Sequence, residues 1–139
     1  LIYLVFHPPI FLQSNPLILL YTIFSIIFAI LIYFYINIIF GSFAFWTRDI
    51  WAPRFMLMVV MEFATGAMFP LDMLPVVWQK IMLALPFPYL LYVPLKIYLG
   101  TDPLWLNHLL IGLVWVIILG FIATKVWARG ISSYESEGR

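Results

Sequence analysis

No aspartate, glutamate, lysine or arginine occurs before Arg48, and none occurs between Asp102 and Lys125. Runs of this length without a charge cannot be held in water by their own surface. The whole chain, 139 residues, is 65% apolar and only 9% charged, whereas soluble domains carry about 25% charged residues. The sequence therefore reads as an all-α integral membrane protein, with a single membrane domain over 1–139. A net charge of +1 leaves no basic surface for a nucleic acid backbone, so nucleic acid is not an expected partner. Cysteine is absent, which excludes disulfides, thiolate metal sites and cysteine nucleophiles.

A helix needs about 20 mostly apolar residues to cross the hydrocarbon core, and three segments qualify as spans. The first covers 17–46, with Asn15 as N-cap and Pro16 in the first helical position. The second covers 55–69, begins near Trp51 to Phe55 with Pro53 in its first turn, and contains Glu62. The third covers 104–127, capped by Thr101 or Asp102 and opened by Pro103. Residues 1–16 read as the end of a preceding span and an outer loop, so the chain is expected to be a fragment of a longer protein. Between the second and third spans, 70–103 is too apolar for a solvated loop and too rich in proline for one membrane helix. Pro75, Pro86, Pro88 and Pro94 divide it into pieces of one to three turns, such as Pro75 to Leu85 and Pro88 or Pro94 to Leu99, stopped by Gly100. Short re-entrant or interfacial helices are expected there.

Orientation follows from the basic residues. Arg48 and Arg54 flank the turn at 47–54, and Lys125, Arg129 and Arg139 follow the third span, against Lys80 and Lys96 on the opposite side. Positive residues collect in the cytoplasm, so the 47–54 turn and the 128–139 tail are expected to be cytoplasmic. Trp46, Trp51 and Trp127 would then mark the inner interface and Trp78 and Trp105 the outer one.

Glu62 is the one charge inside a span. An ionised carboxylate at mid-membrane costs about 2.5–3.5 kcal/mol, so it is expected to face protein or water, or to be protonated. It lines a transport path, or it is a carboxyl held by hydrogen bonds between helices. The stretch Thr65-Gly66-Ala67 before Pro70 reads as a bent helix at the outer mouth, or as a simple helix stop. Gly112, Gly120, Thr124 and Ala128, spaced by multiples of four, suggest a stripe for close helix packing, with Ser25 and Ala29 a smaller counterpart. His7 and His108 lack second ligands at metal spacing, so neither a metal nor another cofactor is expected in this chain. Asp72, Lys80, Lys96 and Asp102 read as interfacial charges. No nucleotide-binding, zincin or serine-hydrolase motif is present.

The pieces Phe45-Trp46-Thr47, Thr65-Gly66-Ala67-Met68-Phe69-Pro70-Leu71-Asp72-Met73-Leu74-Pro75, Leu85-Pro86-Phe87-Pro88-Tyr89 with Tyr92-Val93-Pro94, and Trp127-Ala128-Arg129-Gly130 with Tyr134 occur in a meaningful order. Together they resemble the C-terminal half of permease subunits of type-two ATP-binding-cassette exporters. That resemblance implies the last three of six spans, a second permease subunit as homo- or heterodimer partner, and a separate ATPase subunit on the cytoplasmic side. It implies a substrate path involving Glu62 and Gly66, an ATPase-docking turn carrying Arg48, Asp49 and Arg54, and outer gate helices shaped by Pro70, Pro75, Pro86 and Pro88. The protein would be multi-pass in the cell membrane, in contact with lipid, and would not itself be an enzyme. Two alternatives stand beside it: an intramembrane lipid-modifying enzyme using Glu62, His108 and Asp72, and a non-transporting assembly subunit.

Overall fold

The computed structural model describes residues 12–47 and 49–137, with side chains as far as Ser133. Among them all regular structure is helical: α1 Pro16–Gly41, α2 Trp51–Ala64, α3 Val76–Leu83, α4 Tyr92–Tyr98 and α5 Trp105–Glu137, with single 3-10 turns at Ser42–Phe45, Leu71–Met73 and Phe87–Leu90. Two stretches are long and apolar enough to cross a membrane, Pro16–Phe45 and Trp105–Ser133. The expected caps are in place. Asn15 Oδ1 accepts from the Leu17 amide at 3.0 Å, and Asp102 Oδ1 accepts from Leu104 at 2.9 Å. The 128–139 segment expected as a tail continues α5 as helix to Glu137.

The two long helices lie side by side and parallel. Tyr21 stacks on Trp105 with ring centroids 4.2 Å apart, the Phe28 ring lies over Gly112, the Tyr35 ring over Gly120 and the Phe45 ring over Gly130. The sequence offset stays at 84 to 85 from the first pair to the last, 105 − 21 and 130 − 45, which only parallel helices can maintain. Buried positions on α1 are Thr22, Ser25, Ala29, Ile32 and Ile36, alternating steps of three and four. On α5 the buried Gly112, Leu119, Ala123 and Gly130 and the half-buried Val116 and Val126 repeat that alternation. Such a seam stays on one face because its mean step approaches the helical period. Successive steps of four each advance about 40°, and this corrects the expected packing stripe: Gly112 and Gly120 reach the seam, while Thr124 and Ala128 have rotated off it and are exposed. The Thr22 and Ser42 hydroxyls donate to the Ile18 and Ile38 carbonyls at 2.8 and 2.7 Å, so burying them leaves no orphan.

The 70–103 segment is a cap of short helices, as expected, and it dips into the bundle. Val93 and Ile97 on α4 join Tyr89 in a core with Ile32, Ile36, Leu57 and Leu119. The Tyr89 ring is placed to touch a Cβ at Gly112, seven residues into α5 and so about 10 Å along it from its N-terminal end. The Tyr89 hydroxyl donates to the Leu83 carbonyl at 2.9 Å. At the rim, Gln13 Nε2 donates to the Tyr98 carbonyl at 2.9 Å, which ties the entry of α1 to the exit of α4. Gly100 closes α4 at φ +67°.

The second span departs from its expected bounds. Helix α2 stops at Ala64, short of Phe69, because Gly66 adopts φ +82°. Between the bent helix and the helix stop, the structure shows the stop. Fourteen residues make about 21 Å of helix, less than the ~30 Å hydrocarbon core. A Cβ at Gly66 would sit 3.3 Å from Tyr92 Cβ and 3.4 Å from Leu71 Cγ. Gly66→Ala combines that crowding with a left-handed backbone, so it is expected to cost about 1–2 kcal/mol; a thermal melt in detergent measures it, with Gly41→Ala, which has open space, as control.

Candidate functional site

Two of the cavities are lined by both acidic and basic side chains, one between α1 and α2 and one between α3, α4 and the start of α5. The first is a cleft of about 440 Å³ between α1 and α2, lined by Tyr33 and Asn37 on one side and by Trp51, Arg54, Phe55, Met58, Met61 and Glu62 on the other. Arg54, Met58 and Glu62 follow at intervals of four, so they share one face of α2. Glu62 lies eleven residues beyond Trp51, about 16 Å along the helix. Its side chain is exposed to the cleft, and no hydrogen bond to its carboxylate is formed within the described residues. The cleft thus holds one carboxylate and one guanidinium in a frame of aromatic and methionine side chains, which suits an amphiphile with a small charged part.

The second cavity, about 320 Å³, opens between α3, α4 and the start of α5. Asp72 is its hub. Lys96 Nζ lies 2.8 Å from Asp72 Oδ2, Tyr92 donates to Oδ1 at 2.5 Å, and Gln79 Nε2 donates to the same oxygen at 3.2 Å. Helices α3 and α4 are thereby pinned to the turn that carries Asp72. Across the cavity, His108 Nδ1 is 2.7 Å from Asp102 Oδ2, with the Asp102 side chain only 6% exposed. A third space, about 340 Å³ and almost wholly apolar, lies between α2 and α3 under Phe63, Phe69, Trp78 and Met82.

The Asp72 network has a definite pH signature. The hydrogen bonds from Lys96 and then from Tyr92 hold the Asp72 carboxyl below its ordinary 3.8, and the bond to Asp72 holds the Lys96 ammonium above its ordinary 10.5. Burial, then the bond to Asp72, also raises the Tyr92 hydroxyl. A depressed carboxyl contributes stability that is complete above 3.8 and disappears as pH falls through the lower folded value. A raised lysine contributes stability that is complete below 10.5 and is lost as pH climbs through the higher folded value. The opening free energy over 71–96, taken from amide exchange corrected for its intrinsic pH dependence, is therefore expected to be flat through neutral pH and to fall at both extremes. Because the pair is partly open to solvent, 27% and 47%, each change should amount to about 0.2–1 kcal/mol.

The sequence-predicted residues fall in separate places. Glu62 and Arg54 line the same cleft, about two turns apart on one face of α2. Gly66 sits instead under the cap, against Leu71 and Tyr92. Asp49 Oδ1 accepts from the Trp51 amide at 2.8 Å, which gives it a structural task at the start of α2. Arg48, His7 and Arg139 lie outside the described residues. Pro70 and Pro75 set the extended backbone on either side of the Leu71–Met73 turn, Pro86 precedes the Phe87–Leu90 turn and Pro88 is buried within it. Asp72 and His108 both line the second cavity, whereas Glu62 faces the cleft, so the three groups of the enzyme alternative are not assembled in one site. Within the described residues no group of three or more His, Asp or Glu is placed to hold a metal ion.

The family described as ABC-2 family transporter protein matches the chain over residues 1–138. No curated protein matches, and no solved structure matches.

Proposed function

The chain belongs to the ABC-2 family of transporter proteins, and on that premise we propose that it is the C-terminal part of an exporter permease whose substrate path runs along the Arg54–Glu62 cleft. The family is one of membrane transport components, which agrees with two helices long and apolar enough to cross a bilayer. The observation that carries the reading is the cleft itself: a carboxylate open to a cavity and framed by Trp51, Phe55, Met58 and Met61. An ionisable group in that position marks a path or relay more readily than a structural contact. The substrate class that fits is an amphiphilic or hydrophobic solute.

The parallel packing of α1 and α5 supports a reading with three crossings, because two parallel spans need one return between them. Helix α2 and the Thr65–Pro70 segment supply that return, completed by the re-entrant cap. With Arg54 at one end of α2 and Lys125 and Arg129 near the end of α5, the 47–54 turn and the C-terminus face the cytoplasm of the cell membrane. A separate ATPase subunit would dock there and a second permease subunit, identical or not, would complete the path. ATP-driven closure of the ATPase pair would then rock the two permease halves between inward- and outward-open states. Pro70, Pro75, Pro86 and Pro88 shape the outer gate in this scheme.

Docking is tested by reversing charge at Arg48 and Arg54 in the full permease. We expect co-purification of the ATPase subunit to fall at least several-fold and ATP-coupled transport to fall with it, while detergent-solubilised yield stays unchanged. Intact co-purification and intact coupled transport in the double reversal would remove the docking turn from the proposal.

A further inference from the structure

Among the described residues, helix α3 is held along one side. None of its eight residues is buried, and its contacts go chiefly to the Phe87–Leu90 turn. Gln79 donates to Asp72 and to the Tyr92 hydroxyl, and the Leu83 carbonyl accepts from Tyr89. Gln79 and Leu83 stand four apart, on one face of the helix. Trp78 and Met82, also four apart, occupy the neighbouring face and turn to the apolar cavity of about 340 Å³, whose far wall is Val60, Phe63 and Ala64 on α2. The packing of α3 on α2 is incomplete.

Chemistry and size limit what can fill this space. Every side chain that lines it is apolar or aromatic, so a water inside would lack the two to four polar partners that hold a buried water. Protein interiors leave few voids larger than a water molecule, and a space of this size falls at the lower end of those that take small ligands, about 300–1,000 Å³. Even two turns of helix, as a cylinder about 10 Å across, would fill about 850 Å³. A packed helix is too bulky, and a polar solute has nothing to bond. A flexible hydrocarbon chain meets both limits, and the bilayer around two apolar helices supplies one at high local concentration.

We propose that the apolar cavity between α2 and α3 binds an acyl chain of a membrane phospholipid, which completes the packing of α3 on α2. Bilayer hydrocarbon is as apolar as leucine, so the gain lies in packing: methylenes supply contacts that Phe63, Trp78 and Met82 otherwise lack. The headgroup takes no part, because the lining offers it no polar side chain. No residue lines both this cavity and the Arg54–Glu62 cleft, so the site does not depend on the transport path.

The test uses the full-length permease in vesicles containing phosphatidylcholine or phosphatidylglycerol with a photoreactive diazirine midway along one acyl chain. Labelling is mapped by mass spectrometry at Met82 and, as the reference for bilayer lipid in passing contact, at the exposed Ile117 and Phe121 on α5. Both lipids should label Met82 alike. Val60→Trp and Leu74→Phe, which enlarge side chains on opposite walls of the cavity, should each lower the Met82 label at least several-fold relative to that reference. Each replacement grows into empty space, so the melting temperature should hold or rise. A Met82 label that is unchanged in both filled variants, that follows the headgroup rather than the chain, or that is absent from the wild-type permease because protein covers the cavity, overturns the proposal.

Discussion

Gly130→Leu is expected to be the most damaging single substitution in the long-helix seam, lowering stability by about 1–3 kcal/mol or more. A Cβ built at Gly130 falls within the Phe45 ring, with Cγ and Cε2 both at 2.8 Å. The ring cannot simply swing aside, because it is braced edge-on by Trp127 at 5.4 Å and by Trp46 at 6.2 Å. The helices must separate at their inner ends, where α5 packs on the 3-10 turn that closes α1. Alanine substitutions along the seam should be graded by the same geometry. Gly120, whose Cβ would come 3.2 Å from Tyr35, should be intermediate, and Gly112, at 3.4 Å from Tyr89, should be tolerated, since alanine gains up to about 1 kcal/mol of helix propensity over glycine. Thermal melts in detergent rank the series, and Phe45→Ala should restore much of what Gly130→Ala loses. A Gly130→Ala protein melting with Gly112→Ala would contradict the packing.

That graded series also shows which features were readable from residues alone. The two long apolar helices and their caps were legible because they depend on local chemistry. Uncharged runs give α1 and α5, Asn15-Pro16 and Asp102-Pro103 give their starts, and the prolines of 70–103 give a broken cap. The seam was only half legible. Counting by four selects Gly112 and Gly120 correctly and then leaves the buried face, whereas the true register is set by aromatic rings on α1 whose partners are some 84 residues away. Two further features needed tertiary structure. Asp72, Gln79, Tyr92 and Lys96 look like scattered interfacial groups in one dimension, and only folding of the cap brings three donors onto one carboxylate. The end of α2 was missed because Thr65, Ala67, Met68 and Phe69 are compatible with helix, and the left-handed Gly66 that stops it is selected by contacts with Leu71 and Tyr92.

Glu62→Gln should cut ATP-coupled transport by at least about tenfold, equivalent to ~1.4 kcal/mol, while leaving the fold as stable as before or more so. The two effects separate because they come from different properties of the carboxylate. At the mid-membrane position proposed for it, an ionised glutamate costs about 2.5–3.5 kcal/mol to insert, and that cost is not offset by any hydrogen bond from a described residue. The amide is nearly isosteric and uncharged, so insertion and melting temperature should hold or rise. A glutamate that held helices together would behave in the opposite way: its amide would destabilise the bundle, and transport per folded molecule would survive. Arg54→Gln supplies the complementary measurement, since Arg54 lies two turns away on the same helix face and in the same cleft. If the two charges act on one translocating amphiphile, the double substitution should cost less than the sum of the single ones, as for residues sharing a ligand. Transport by Glu62→Gln at the wild-type rate in a normally folded permease would remove the cleft from the path.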